Sequence, residues 1–158
     1  MLTIAQRQAL KADIALDPAF ASVPHNSDGA FDVAAAYNLT AVPDWWVWKT
    51  AVTEVLVKQA IIWTEFISRS AGERDSFQFM LSTGAICPAD ANIRQGIADI
   101  FSGPSGLQTR TNLLDISKRK ASRVEKLFSL GTGSVASPAT MTFEGSLAYQ
   151  DVLDAWAS

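Results

Sequence analysis

TRTNLLDISKRKASRVEKLFSL, residues 109 to 130, is the stretch on which the fold turns. Leu113, Ile116, Lys120, Val124, Leu127 and Phe128 recur mostly at steps of three and four, Thr109 is placed to open a helix, and Gly131 stops it. The spacing predicts one long final helix over 109–130. The same stretch is the basic part of the chain. Six of thirteen cations lie in it, Arg110, Lys118, Arg119, Lys120, Arg123 and Lys126, opposed only by Asp115 and Glu125. Residues 1–105 hold seven cations against eleven carboxylates, and residues 127–158 hold three carboxylates and no cation. Such polarity suits head-to-tail stacking, the basic helix of one copy on the acidic face of the next. It also suits phosphate binding, and its plainest reading is a solvated helix face.

Upstream, helical signals dominate. Thr3 and Gln6 have capping-box spacing, and Ile4, Leu10 and Ile14 form an apolar stripe that must stop before Asp17-Pro18, giving a helix over about 3–16. Ser27 or Asp28 is expected to cap a short helix ending at Asn38. Pro43 suits a helix start, and Trp48, Ala51, Val52, Val55, Gln59, Ile62 and Phe66 continue at helical steps, so a helix is expected from 43 or 44 to about 67. Another follows over 72–82 with Phe77, Met80 and Leu81 inward. Asp90 is the next cap, for a stripe of Ile93, Ile97, Ile100 and Phe101 closed by Gly103-Pro104.

Downstream, the period changes. Thr140-Met141-Thr142-Phe143-Glu144 alternates like a half-buried strand, Gly145 turns, and Leu147-Ala148-Tyr149 is expected to return as a second strand. Residues 150–156 read as one helical turn or a tail. The expected architecture is therefore mainly α: a bundle of about five to six helices (residues 1–131) followed by a C-terminal arm (132–158) with a β-hairpin or extended strand. Two strands alone are marginal in water, so the hairpin must lie on the helices or be completed by another chain, and its edge is a template for strand addition.

Composition bounds the function. At 158 residues, 48% apolar and 18% charged with a net charge of -3, the chain is long enough for one core and too apolar for disorder throughout. The most apolar run, Val55 to Trp63, is broken by Lys58 and Gln59 and is far short of the roughly 20 residues of a membrane helix. The amino terminus lacks the basic start and apolar stretch of a secretory signal, so a soluble protein made in a cytoplasm is expected. The single cysteine, Cys87, reads as a small apolar filler in a turn, and the single histidine, His25, as a turn residue; neither has the neighbours of a zinc site. Glu54, Glu65, Glu73 and Asp75 have no histidine partners. Gly131-Thr132-Gly133 follows a helix and lacks the later glycine and lysine of a phosphate loop. With no nucleophile motif either, no catalytic residue, cofactor or metal is expected.

The aromatic run Trp45-Trp46-Val47-Trp48 is unusual. Adjacent residues on a helix point in different directions, so at least one tryptophan is expected to face a partner, tryptophan being enriched at interface hot spots. A DNA-binding reading stands beside this one. The helices expected at 90–101 and 109–130 loosely resemble a helix-turn-helix pair with a basic second helix, although the linker Ser102 to Gln108 exceeds that motif's turn of about three to four residues.

Several stretches carry a resemblance: Trp46 to Thr53, Trp63-Thr64-Glu65, Asn92 to Gly96 with Asp99-Ile100-Phe101, Lys118 to Phe128, Gly131-Thr132-Gly133, Ser137 to Thr140, Phe143-Glu144-Gly145 and Tyr149 to Val152. Over residues 27–152 they look like a set of small structural proteins of long-tailed, siphovirus-type bacteriophages, and in size and helical character the chain is similar to the head-to-tail connector adaptors of tailed phages. That resemblance implies a virion protein at the head-tail junction, made in the host bacterial cytoplasm, forming a homo-oligomeric ring of about twelve copies. Such a ring docks beneath the portal protein, lines the DNA channel with non-specific contact to DNA, and hands the channel to the next neck or tail-completion protein. No membrane is involved. The interface residues it suggests here are Trp45, Trp46, Trp48, Lys118, Arg119, Arg123, Met141, Phe143, Tyr149 and Trp156, with the C-terminal arm as the portal clasp. Deletion of residues 137–158 is expected to leave a soluble helical monomer. The alternatives are a stopper or tail terminator, or a small phage DNA-binding protein.

Overall fold

The computed structural model describes residues 1–158. In chain order the elements are α1 (Ile4–Leu16), α2 (Ser27–Asn38), β1 (Trp46–Trp48), β2 (Val52–Thr53), α3 (Glu54–Ala60), α4 (Trp63–Ile67), α5 (Ala71–Leu81), β3 (Ala85–Ile86), α6 (Ala91–Ile100), α7 (Leu107–Ile116), β4 (Lys118–Lys120), α8 (Arg123–Leu127), β5 (Ser129–Leu130), β6 (Thr140–Met141) and α9 (Tyr149–Ala157). The protein is mainly helical, with three two-stranded sheets, β1 with β4, β2 with β3 and β5 with β6. It divides into two compact units. Unit 1 combines residues 1–46 with 120–158, and unit 2 is residues 47–119. The boundary expected at residue 131 falls inside unit 1.

Unit 1 starts with the expected capping box: the Gln6 amide donates to Thr3 Oγ1 at 3.2 Å and the Thr3 amide to Gln6 Oε1 at 2.9 Å. Leu10 and Ile14 are buried, whereas Ile4 faces out. Asn26, one residue earlier than expected, caps α2 by accepting from the Gly29 amide at 3.0 Å. Residues 132–158 are no detached arm. Leu147, Val152 and Ala155 join Leu2, Leu10, Ile14, Val33, Tyr37, Val124 and Phe128 in a single core, with α9 packed on α1 and α2. The expected hairpin is not formed. Thr140 and Met141 pair with Leu130 and Ser129 instead, and Tyr149 already begins α9.

Unit 2 has its own core, built from Val52, Val57, Ile61, Phe77, Leu81, Ile86, Ile97, Phe101 and Leu113. Phe77 meets Phe101 edge-on at 5.2 Å and Phe66 at 5.9 Å between ring centroids. Two of its helices are closed by local caps: Ser70 with Glu73 on α5, and Asp90 Oδ1 accepting from the Asn92 amide at 2.8 Å on α6. On α7, Glu65 Oε2 accepts from the Thr109 amide at 2.7 Å. Helix α6 matches its expected span.

Two long helices of the sequence reading are replaced. Residues 43–67 form β1, β2, α3 and α4. The Trp45 and Trp46 backbones bond across to distant chain, Ala121 N to Trp45 O at 2.8 Å and Trp46 N to Gly133 O at 2.7 Å, which an α-helix would forbid. Within 109–130, α7 ends at Ile116, where the buried Ser117 hydroxyl turns back onto the Leu113 carbonyl at 2.6 Å. Ser122 and Glu125 then form a fresh capping box that starts α8. The basic segment is thus a helix end, a strand and a short helix.

Candidate binding cleft

Unit 1 holds a cleft of about 850 Å³ where the end of α1, the end of α2, the 39–45 loop and α8 converge. Phe20, Leu39, Val42, Trp45 and Leu127 supply its apolar lining, and Asp13, Asp17, Arg123 and Lys126 its charges. Its volume is in the range of ligand-binding pockets.

Arg123 is the centre of one group of charges. Its guanidinium bonds Asp17 Oδ2 at 2.6 Å and Asp13 Oδ2 at 3.0 Å. It also donates to the Tyr37 hydroxyl at 3.1 Å, lies 4.1 Å from the Tyr37 ring centroid and 5.3 Å from that of Phe20. The Tyr37 hydroxyl in turn donates to Asp13. Burial, reinforced by Asp13, pushes the Tyr37 phenol well above its ordinary value. The Ala19 amide and then Arg123 hold the Asp17 carboxyl below the usual range. Burial opposes the charge on Arg123, and its bonds to the two aspartates overcome that and raise it.

Trp45 is fixed differently. Its indole N–H donates to Ser129 Oγ at 2.8 Å, and the Ser129 hydroxyl in turn donates to the Lys126 carbonyl at 2.9 Å. Gly133, at φ +63°, lies so close that a Cβ there would fall 2.1 Å from Trp45 Cδ2 and Cε2. Only glycine fits. Gly131-Thr132-Gly133, unlike a phosphate loop, is a backbone cradle for an indole. The Lys126 ammonium lies 5.3 Å from the Trp45 ring centroid and forms no ion pair.

Of the expected interface residues, the cleft brings together only Trp45 and Arg123. Trp46 is half-buried in β1, with its carbonyl accepting from the Ala139 amide at 2.8 Å. Met141 is half-buried in β6, and Phe143 packs edge-on against Phe128 at 5.7 Å. Tyr149 stacks on Phe31 at 4.3 Å and Trp156 on His25 at 4.4 Å. In unit 2, Trp48 carries the Arg94 guanidinium 4.7 Å from its ring, Lys118 pairs with Asp115 at 2.9 Å, and Arg119 is half-buried in β4. Cys87, expected as filler, is exposed. Sequence reading missed Asp13, Asp17, Phe20 and Lys126 as cleft residues, and Tyr37 as the buried partner of Arg123.

Unit 2 carries a second surface feature. On the consecutive helices α3 and α4, Val55, Leu56, Trp63 and Ile67 are 64%, 43%, 52% and 68% exposed. Trp63 and Ile67, four residues apart, share one face of α4.

No helix is long and apolar enough to cross a membrane, and no group of three or more His, Cys, Asp or Glu side chains is arranged to hold a metal ion. Comparison with family models, with curated proteins and with solved structures finds no match to this chain.

Proposed function

We propose that the protein is a structural subunit of a tailed-bacteriophage virion, a head-to-tail connector adaptor that forms a ring beneath the portal and links capsid to tail around the DNA channel. The observation that carries this reading is the apolar surface of α3 and α4. Four large apolar side chains of these two helices, Val55, Leu56, Trp63 and Ile67, face solvent there, one of them a tryptophan. Exposed apolar surface of this kind marks association sites, and tryptophan is a favoured hot-spot residue. A subunit whose finished state is a ring covers such a face. The helical character of both units and the resemblance of residues 27–152 to siphovirus structural proteins supply the setting.

Residues 132–158 do not serve as a detached portal clasp, because Leu147, Val152 and Ala155 are core. Contact with neighbouring subunits and with the portal is assigned to the α3–α4 face. The basic segment likewise offers less free charge for stacking on a neighbour or for binding DNA. Arg110 donates to the Phe101 carbonyl at 2.9 Å, Lys118 pairs with Asp115, Lys120 with Asp44 at 2.7 Å, and Arg123 with two aspartates. These cations are spent inside their own units.

Quantitative peptide mass spectrometry on purified virus particles, scaled to the major capsid protein, tests the proposal. About a dozen copies per particle are expected of a neck ring. Absence from the particle overturns it, and hundreds of copies move the protein to the capsid or tail tube.

A further inference from the structure

We infer that the unit 1 cleft is a docking site for an extended segment of a partner protein in which a carboxylate side chain sits between large apolar ones. This inference goes beyond the connector reading and does not depend on it. Three observations carry it.

The first is a charge without a partner. Lys126 is half-buried, lies against the Trp45 ring and forms no ion pair, while the other cation in the cleft, Arg123, is held by two carboxylates. An ammonium held beside an indole is an anchor for an incoming anion, and the charge-assisted bond strengthens as the apolar neighbours of both are covered. The second is the lining beside it. Leu39 is 68% and Val42 90% exposed on the loop that borders the cleft, next to Trp45 and Leu127. Side chains placed so are ready to be covered by apolar groups. The third is rigidity. Trp45 is locked by Ser129 and by the Gly133 backbone, and Arg123 is locked by Asp13, Asp17 and Tyr37, so little ordering remains to be done on binding. Asp13, Asp17 and Arg123 together leave one negative charge at the far side of α8's first turn. That charge repels a second carboxylate and directs the first to Lys126. A phosphate, with more charge and no apolar body, fits this lining poorly.

The test is a titration of the full ¹⁵N-labelled chain with the capped peptides acetyl-Leu-Glu-Leu-amide and acetyl-Leu-Gln-Leu-amide. The reporter is the Trp45 indole resonance, assigned by its loss in Trp45→Phe. The glutamate peptide is expected to shift that resonance saturably at millimolar concentration and to bind roughly tenfold more tightly than the glutamine peptide. Lys126→Met keeps the side-chain stem, and is expected to leave the melting temperature unchanged while removing the preference for glutamate. Val42→Ser is expected to weaken both peptides. Equal binding of the two peptides, an unchanged preference in Lys126→Met, or shifts confined to residues outside the cleft would each overturn the inference, as would no shift at all.

Discussion

The two units solve the same problem in opposite ways. Unit 2 is one uninterrupted stretch in which α5 and α6 are capped by near neighbours, Ser70 with Glu73 and Asp90 with Asn92, over a continuous aromatic core of Phe66, Phe77 and Phe101. Unit 1 is made from the two ends of the chain. Its distinctive contacts join residues about a hundred positions apart: Arg123 to Asp13 and Asp17, Asn38 to Leu147, Trp46 to Gly133. Closing a flexible loop as long as residues 47–119 costs on the order of 4 kcal/mol. A folded unit 2, whose terminal strands β1 and β4 pair, removes most of that cost. Dependence therefore runs one way: unit 1 needs unit 2 folded, and unit 2 has no comparable need.

The harshest way to break this comparison is to delete residues 137–158. The loss of Leu147, Val152 and Ala155 from the core exceeds about 5 kcal/mol at typical costs per buried side chain, enough to unfold unit 1. Hydrogen exchange is expected to show unit 1 amides unprotected and unit 2 amides still protected. Uniform loss of protection would mean that the units do not fold separately. The converse lesion is Phe77→Ala, expected to cost 3 to 5 kcal/mol, about the most that truncating a buried aromatic does. Here the comparison predicts that denaturant midpoints of both units fall together, read through Trp45, Trp46 and Trp156 in unit 1 and Trp48 and Trp63 in unit 2. An unmoved unit 1 midpoint would sink the loop-closure argument.

A smaller and more local lesion is Gly133→Ala. The added Cβ meets the Trp45 ring at 2.1 Å and the residue must keep φ near +63°, so a cost of roughly 1–3 kcal/mol is expected. It is expected to fall on unit 1 alone, with the Trp45 indole resonance displaced. An unperturbed Trp45 would show that the cradle is not needed.

The same contrast explains what could be read from the sequence. Where a helix is closed by residues three positions apart, the pattern is visible: the Thr3–Gln6 box and the Asp90-capped helix appear where expected. Ser122-Arg123-Val124-Glu125 is just as legible as a capping box, yet it was hidden because Leu113, Ile116, Val124, Leu127 and Phe128 run on through it at helical spacing. That stripe is real as burial, since Leu113, Val124 and Phe128 are all buried, but they belong to two different cores. Strands of two or three residues leave too little alternation to outweigh such a stripe, which is why 43–67 read as helix. The cleft was the least legible part. No local pattern says that an aspartate at 13 and a tyrosine at 37 will meet an arginine at 123, and the glycine at 133 is explained only by the indole it touches.

Acid gives the finest test, because carboxyls in each unit are held below their ordinary range by different routes, Asp17 in unit 1 and Glu65 and Glu73 in unit 2. In unit 1 the Ala19 amide, and then Arg123, stabilise ionised Asp17; in unit 2 the Thr109 hydroxyl, and then the Thr109 amide, stabilise ionised Glu65. A carboxyl depressed in the folded state contributes stability that is complete above its unfolded pKa of about 4 and is lost as pH falls through the lower folded value. Both units should therefore weaken below about pH 4, by small amounts because these groups remain partly open to solvent. Asp17→Asn is expected to flatten the acid decline of unit 1, and Glu65→Gln chiefly that of unit 2, when the indole resonances of each unit are followed through melts at successive pH values. Because unit 1 depends on unit 2, Glu65→Gln should also soften the decline of unit 1 slightly, whereas Asp17→Asn should leave unit 2 untouched. A symmetrical response would mean that the dependence runs both ways.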